Sequence, residues 1–549
     1  MFRPFSPNMQ LDPRFQERIA VIVTVIVGIL SAIYLGKMTA QGQTGTIALI
    51  AFGALGVASL LHFRERVWVI IPVLWPFYGS VPVLPIPFAL KDIGVMIAFL
   101  ATVVCIALKI IRFRPRFTFL DALFYLNVIW LLVALIRNPV GFLVSDSERV
   151  GGRPYVSAIF GWLAFWILSR VSASPQMLRR VPVYILGALF VFFLMNSAMV
   201  ISPAFGGFAS QFYNGFDFYF VDGATGLAAG SGAGQRAVDD STVRIEMFRD
   251  IGKYACIFLC AYFYPPSLLN PLKWKRFSGF FAAMFGLLLS GFRSFLAYAA
   301  AMFLIGGYFQ KGWSSVVRSG LTALLAVFIL MLGHGTLYEL PFAAQRALAI
   351  IPSFLRPVQL EERAIISGES STDWRVEMWI QALTTNRYIS DKILGDGFGM
   401  TRGQIAVYQR AISVGPISTQ ESQEQMAISG DFHSGPVSAI RVVGIVGLVF
   451  VYLLYIPLAI HAARLIRRTK GTPLFEPTMF FCLPIVFEPF WYTFVFGGHP
   501  AVIPFAGLGL GMMKLIENSF AIYNSTESQK QPETPLDSPP KGGRLSFAQ

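Results

Sequence analysis

Charge is scarce in this chain. Asp, Glu, Lys and Arg make up 13% of its 549 residues, about half the share a soluble domain carries. A cytosolic enzyme and a charged disordered scaffold are excluded on that ground. Cysteine is scarce as well: Cys105, Cys256, Cys260 and Cys482 are the full set, each inside an apolar stretch. A disulfide-rich secreted module is therefore excluded. Cys256 and Cys260 share a helix face, but without a Cys-x-x-Cys or His/Cys cluster they read as packing residues, and we assign no metal and no disulfide. Gly395-Asp-Gly-Phe-Gly399 suggests a nucleotide loop, yet it lacks the strand-then-helix setting and the Lys-Ser/Thr of one. It reads as a flexible turn. No internal repeat is visible.

What the chain has in quantity is apolar length. It is 55% hydrophobic, with a mean hydropathy of +0.60. Crossing a bilayer as a helix takes about 20 apolar residues. Runs near that length fall at 19–36, 45–62, 67–89, 93–111, 118–136, 155–169, 181–202, 251–265, 277–291, 292–309, 319–334, 436–460, 477–497 and 500–518. The fold class is an all-α polytopic membrane protein with about 12–14 transmembrane helices. The third run is interrupted by Pro72, Pro76, Pro82, Pro85 and Pro87, so it reads as a broken or re-entrant helix.

The net charge is +14. In a membrane protein the question is which side holds it, and nucleic acid is not implied. Alternating from a cytoplasmic N-terminus gathers Arg64 and Arg66, Arg112 to Arg116, Arg179 and Arg180, Lys273 to Arg276, Lys311 and Arg318, and Arg464 to Lys470 on one side. The positive-inside tendency makes that side cytoplasmic. No cleavable signal is apparent, and the first span is expected to stay as an anchor. The organisation expected is a cytoplasmic N-terminus (1–18), a helical core (19–334) with an outer loop at 203–250, a large outer loop domain (335–435), C-terminal helices (436–518) and a disordered cytoplasmic tail (519–549).

Unusual polar residues gather on the other side. Arg244 and Arg249 end the first long loop, Arg293 lies between two apolar runs, Arg375 opens a helix-like stretch of the second long loop, and His433 precedes a span. An arginine between apolar runs is costly and normally faces a polar cavity or partner, although it can also snorkel to the headgroups. Guanidinium forks suit phosphate oxygens, so several converging would form a diphosphate site. His433 can exchange a proton near neutral pH; the ordinary alternative is a hydrogen-bonded interfacial histidine. His334, His499, Glu424 and Asp431 compete for that role, whereas His62 and His461 face the cytoplasm.

These residues resemble the O-antigen ligase and polymerase family of lipid-linked glycan transferases. The ligase pattern is His, then Asn, Ser or Gln, nine residues, Gly, two residues, and Gly, Thr or Tyr. Here it reads His433-Ser434, nine residues, Gly444-Ile-Val-Gly447. Ser290-Gly-Phe-Arg293, and the order Arg375, Trp379, Gly395-Asp-Gly397, are also similar to the family, although Phe292 precedes Arg293 and Ser294 follows it. The likeness covers residues 240–450.

The resemblance implies a GT-C-like helical architecture with a periplasmic loop domain in the bacterial inner membrane, both termini cytoplasmic. It implies transfer of a glycan from undecaprenyl diphosphate to an acceptor hydroxyl, without cofactor or metal. Arg244, Arg293 and Arg375, with Arg249 in reserve, would hold the diphosphate, and His433 would orient or deprotonate the acceptor. Ser434, Gly444 and Gly447 complete the motif, the glycines letting the next helix pack closely. The partners implied are a lipid-linked glycan donor, a lipid or glycan acceptor, membrane lipids and polysaccharide-assembly proteins. A polymerase joining lipid-linked repeat units is the alternative. A transporter is a further one, favoured by the proline-rich third run but not by charges that cluster outside mid-membrane.

Overall fold

The computed structural model describes residues 64–82, 88–107, 117–140, 150–215, 247–349, 362–400, 403–406 and 419–530, with Gly53, Ile351, Leu360 and Arg410 singly. Among them there is no β-strand, only the isolated bridges Ser80–Ala89 and His334–Tyr338. The chain is an all-α polytopic membrane protein: seven described helices are long and apolar enough to cross a bilayer. The expected spans 19–36 and 45–62 and the tail beyond Lys530 lie outside the described residues.

The helices, in chain order, are α1 (Ile70–Leu74), α2 (Leu90–Ala107), α3 (Phe119–Arg137), α4 (Arg153–Leu168), α5 (Pro175–Ile201), α6 (Pro203–Ser210), α7 (Phe248–Tyr262), α8 (Trp274–Leu289), α9 (Arg293–Lys311), α10 (Trp313–Leu332), α11 (Phe342–Leu348), α12 (Glu362–Thr384), α13 (Thr419–Ile428), α14 (Gly435–Thr469), α15 (Phe475–Phe490) and α16 (Val502–Lys530). The apolar runs from 93 onward each coincide with one of these. The 67–89 run is broken, as its prolines suggest: a 3-10 turn (Arg64–Val69) enters α1, then the chain leaves the helix and folds back, Val81 N–H donating to Phe88 O (3.1 Å) and Leu90 N–H to Gly79 O (3.0 Å). At the other end of the sequence, α16 continues to Lys530, so residues 519–530, expected to belong to a disordered tail, are helical.

Packing gathers α7 between α5, α8, α9 and α15, sets α14 against α15 and α3, and lays α16 along α4. Among the described residues, the second long loop does not build a separate core. Its Met378, Ala382, Tyr388, Ile389 and Phe432 bury together with Val437 and Ile440 at the start of α14, and Leu340, Ala344 and Leu348 bury against Leu288 and Met331 at the ends of α8 and α10. The hydrophobic effect thus fixes the loop onto one end of the helix bundle.

The opposite end of the bundle is tied together by polar contacts. Lys470 Nζ donates to the last carbonyls of α9, Phe309 O (3.1 Å) and Gln310 O (2.9 Å), and Gln310 Nε2 donates to Cys260 O and Phe263 O (both 3.0 Å) at the end of α7. Cations on helix C-terminal carbonyls are favoured by the orphan acceptors and the helix dipole. Arg179 faces Glu476 (3.6 Å), His461 faces Glu517 (2.9 Å), and Lys514 makes a buried ion pair with Asp121. Asp121 also closes the capping box of α3 with Thr118. The basic segments 464–470, 273–276 and 311–318 all lie at this end.

Candidate functional site

At the end away from the arginine-rich loops, α13 finishes at Ile428 and a tight turn leads into α14. Asp431 N–H donates to Met426 O (2.8 Å), and Gly430 takes φ 78°. His433 follows with φ 50°, the one non-glycine residue among those described in the left-handed region. Such a conformation costs about 1–3 kcal/mol and persists where the surroundings impose it. They do so here: Trp379 Nε1 donates to Phe432 O (2.6 Å), and Gly435 sits so close to Tyr492 O that a side chain would collide. The imidazole lies between Trp374 of α12 (6.2 Å between ring centroids) and Phe496 (5.2 Å), with Nδ1 2.9 Å from Asp431 Oδ1. Ser434 is buried and starts α14, its carbonyl accepting from Ser438 N–H (3.0 Å).

The motif glycines do more than relieve packing. Gly444 has φ 72° and ψ 179°, which divides α14 into two helices. The turn Asp391–Gly397 fills the break. Asp396 N–H donates to Arg441 O (2.7 Å) and Gly397 N–H to Val442 O (2.9 Å), while Ile445 N–H donates to Lys392 O (2.9 Å) and Val446 N–H to Ile393 O (3.3 Å). These bonds satisfy backbone groups that a helix break orphans. A methyl on Gly444 would strike Ile393 O, and one on Gly395 would strike Gly444 N. The segment 395–399, expected to be a flexible turn, is instead part of a fixed clamp, because two of these hydrogen bonds and two left-handed glycines lock it into α14. Gly447 packs on Trp130, whose Nε1 donates to Val443 O (2.9 Å).

The predicted arginines divide into two groups on this end. Arg375 is partly buried on α12 and follows Trp374, whose ring lies against His433. Arg249 and Arg293 sit in the first turns of α7 and α9. Arg249 pairs with Asp250 (3.0 Å) and reaches the ring of Phe292 (5.9 Å), the residue that precedes Arg293. Phe295 and Tyr298 of α9 then contact Trp491 (6.1 and 5.1 Å). Trp491–Val495 is a π-helical turn that leads to Phe496 at His433. One short segment therefore separates the Arg249–Arg293 group from the His433–Arg375 group. Arg244 lies outside the described residues.

The competing residues have other engagements. His334 Nδ1 accepts from Leu340 N–H (3.1 Å). Glu424 pairs with Arg387 (2.6 Å), a bond that raises the Arg387 pKa. His499 is buried beside Phe398 of the clamp. Asp431 serves as the partner of His433.

Three charged residues were not singled out from the sequence. Lys253, one turn after Arg249, lies over Tyr298 (5.0 Å) and Phe295 (5.6 Å) and interacts electrostatically with Asp250 and Glu488. Glu488 was legible as a lone acid in an apolar run. Arg441, 3% exposed, is wedged against Gly430 and faces Asp396. Chemically, the ensemble offers cations at two helix N-termini, where anions are favoured, and an imidazole beside a carboxylate. Scanned against protein-family models and against curated proteins, the chain finds no match in either.

Proposed function

We propose that the chain is a metal-independent membrane glycosyltransferase of the O-antigen ligase type, moving a glycan from undecaprenyl diphosphate to an acceptor hydroxyl. In this reading the arginine-rich end is cytoplasmic, and the His433 end faces the periplasm across the inner membrane. The observation that carries it is His433: a histidine in a strained backbone conformation, 2.9 Å from a buried carboxylate and against the ring of Trp374. An interfacial histidine with only a packing role would need neither the strain nor the carboxylate.

The step is a substitution at the anomeric carbon. The acceptor oxygen forms the new C1–O bond as its proton passes to His433 Nε2. The bond from C1 to the diphosphate oxygen breaks, and its electron pair leaves with the diphosphate. Negative charge therefore grows on the leaving group, where Arg249, Arg293 and Arg375 would stabilise it, a task for preorganised cations. Arg244 is kept in the same role on sequence grounds. The proton on His433 returns to water when products leave.

Purified full-length protein supplied with lipid-linked glycan and either a lipid A-core acceptor or a second lipid-linked repeat tests the proposal. Product on the lipid A-core acceptor supports the ligase form. Product growing only on undecaprenyl diphosphate replaces it with a polymerase. Absence of product with either acceptor, in folded protein, contradicts the reading.

A further inference from the structure

We infer that Lys253 is a further donor-binding residue, taking the phosphate nearer the prenyl chain, with Glu488 as its counter-charge while the site is empty. The inference rests on the proposed transferase reading and adds a residue to it. Lys253 follows Arg249 by four positions on α7, so the two share a face, and Lys253 lies about 6 Å further along the helix axis. The far end of α7, at Cys260 and Phe263, belongs to the arginine-rich end of the bundle. That step therefore leads inward from the Arg249–Arg293 group. A diphosphate held by that group continues towards its lipid in the same direction.

The Lys253 ammonium is placed but not engaged. It lies over Tyr298 (5.0 Å) and Phe295 (5.6 Å) of α9, the helix that Arg293 begins, and it feels Asp250 and Glu488 only through space. Among the described residues, Lys253 and Glu488 make no hydrogen bond and no ion pair. Asp250 already pairs with Arg249 (3.0 Å). A lysine ammonium is a strongly hydrated point charge with three donors, and aromatic faces replace only part of the water it loses. A pair that serves the fold closes, as Lys514 and Asp121 do at the opposite end. Lys253 and Glu488 instead each keep part of their surface open. Tyr492 adds a further unused group: it is 2% exposed, it neighbours Glu488, and its Oη has no hydrogen-bond partner among the described residues. Buried polar groups are normally satisfied, so three such groups on α7, α15 and the π-helical turn mark a place that a ligand completes. Phosphate oxygens supply the acceptors that Lys253 lacks. Glu488 balances its charge until they arrive.

The test titrates full-length wild type, Lys253→Met and Arg293→Ala in phosphatidylcholine nanodiscs with undecaprenyl phosphate, undecaprenyl diphosphate and undecaprenol. Binding is read by native mass spectrometry. Lys253→Met is expected to weaken both phosphates about tenfold and to leave undecaprenol unchanged. Arg293→Ala is expected to weaken the diphosphate more than the monophosphate, which ends at Lys253; equal weakening of both overturns the lipid-side assignment. Removing Lys253 strands Glu488, so where that variant does not fold, Lys253→Met/Glu488→Gln, which carries neither charge, is read the same way. Equal affinity of wild type and the lysine variant for both phosphates overturns the inference. So does a loss that extends to undecaprenol, the mark of a structural role. Inorganic diphosphate binding as tightly as the lipid overturns it too, since the site would then serve the free anion. The readout needs no glycan: a phosphate-specific loss in protein that transfers nothing sustains Lys253 and defeats the transferase reading alone. Equal binding in protein that does transfer glycan defeats the role of Lys253 alone.

Discussion

The two ends of the helix bundle both concentrate cations but use them differently. At the arginine-rich end, positive side chains close the bundle: Lys470 covers the carbonyls ending α9, Arg467 donates to Tyr308 Oη (3.0 Å), and Lys514 is buried against Asp121. At the other end, Arg249 and Lys253 lie over aromatic rings, Arg249 and Arg293 stand in helix first turns, where the backbone dipole repels a cation, and His433 is strained. Cations placed against the local dipole are weak stabilisers of the fold, which fits the anionic donor of the proposed function. The contrast teaches that charge placement relative to helix ends distinguishes the two ends, where charge count does not.

Substitutions can break that contrast. The largest effect is expected at Arg293→Ala and Arg249→Ala, which should each lower kcat for glycan transfer by about 10²–10³-fold with the fold retained. Arg467→Ala at the far end should leave the rate near wild type; a transfer assay on the three proteins checks it. Next, Lys514→Met alone strands Asp121 in a buried site and should cost about 3–5 kcal/mol of stability, read as a lower melting temperature in detergent. Adding Asp121→Leu should restore much of it, and neither change should alter the pH–rate profile. Gly444→Ala places a methyl against Ile393 O in a left-handed residue and should cost about 2–3 kcal/mol, again by thermal melt.

The smallest effect belongs to the clamp's half-exposed ion pair, Arg137 to Asp391 (2.7 Å), worth no more than about 1 kcal/mol. Backbone N–H donation from Leu394, then the Arg137 hydrogen bond, holds the Asp391 pKa below its ordinary value. A depressed carboxylate contributes stability that is complete above the unfolded pKa and is lost as pH falls through the folded one. Asp391→Asn should therefore narrow the gap between melts at neutral and strongly acidic pH, by lowering the neutral value slightly and leaving the acidic value almost unchanged.

Apolar length made the helices legible, because a span announces itself within about 20 residues of local sequence. The break in α14 was not legible. Gly444 stands in a continuous apolar run, and the turn that fills the break comes from residues 391–397, a contact that local periodicity cannot report. For the same reason Gly395 to Gly399 read as flexible. The last helix ran past 518 because Phe520, Ile522 and Tyr523 continue a pattern that charge and Ser content obscured. His433 and Arg293 stood out as polar groups beside apolar runs. Lys253, Arg441 and Glu488 escaped because counting charge in loops passes over charge inside helices.

Glycan transfer by His433→Ala beside His461→Ala, in the same reconstituted full-length protein, tests the division between the two ends most directly. Both histidines face a carboxylate at 2.9 Å, so the pair differs in location and not in partner. The account predicts product from wild type and His461→Ala and none from His433→Ala, with all three folded. Wild-type transfer by His433→Ala, or loss in His461→Ala alone, would contradict it.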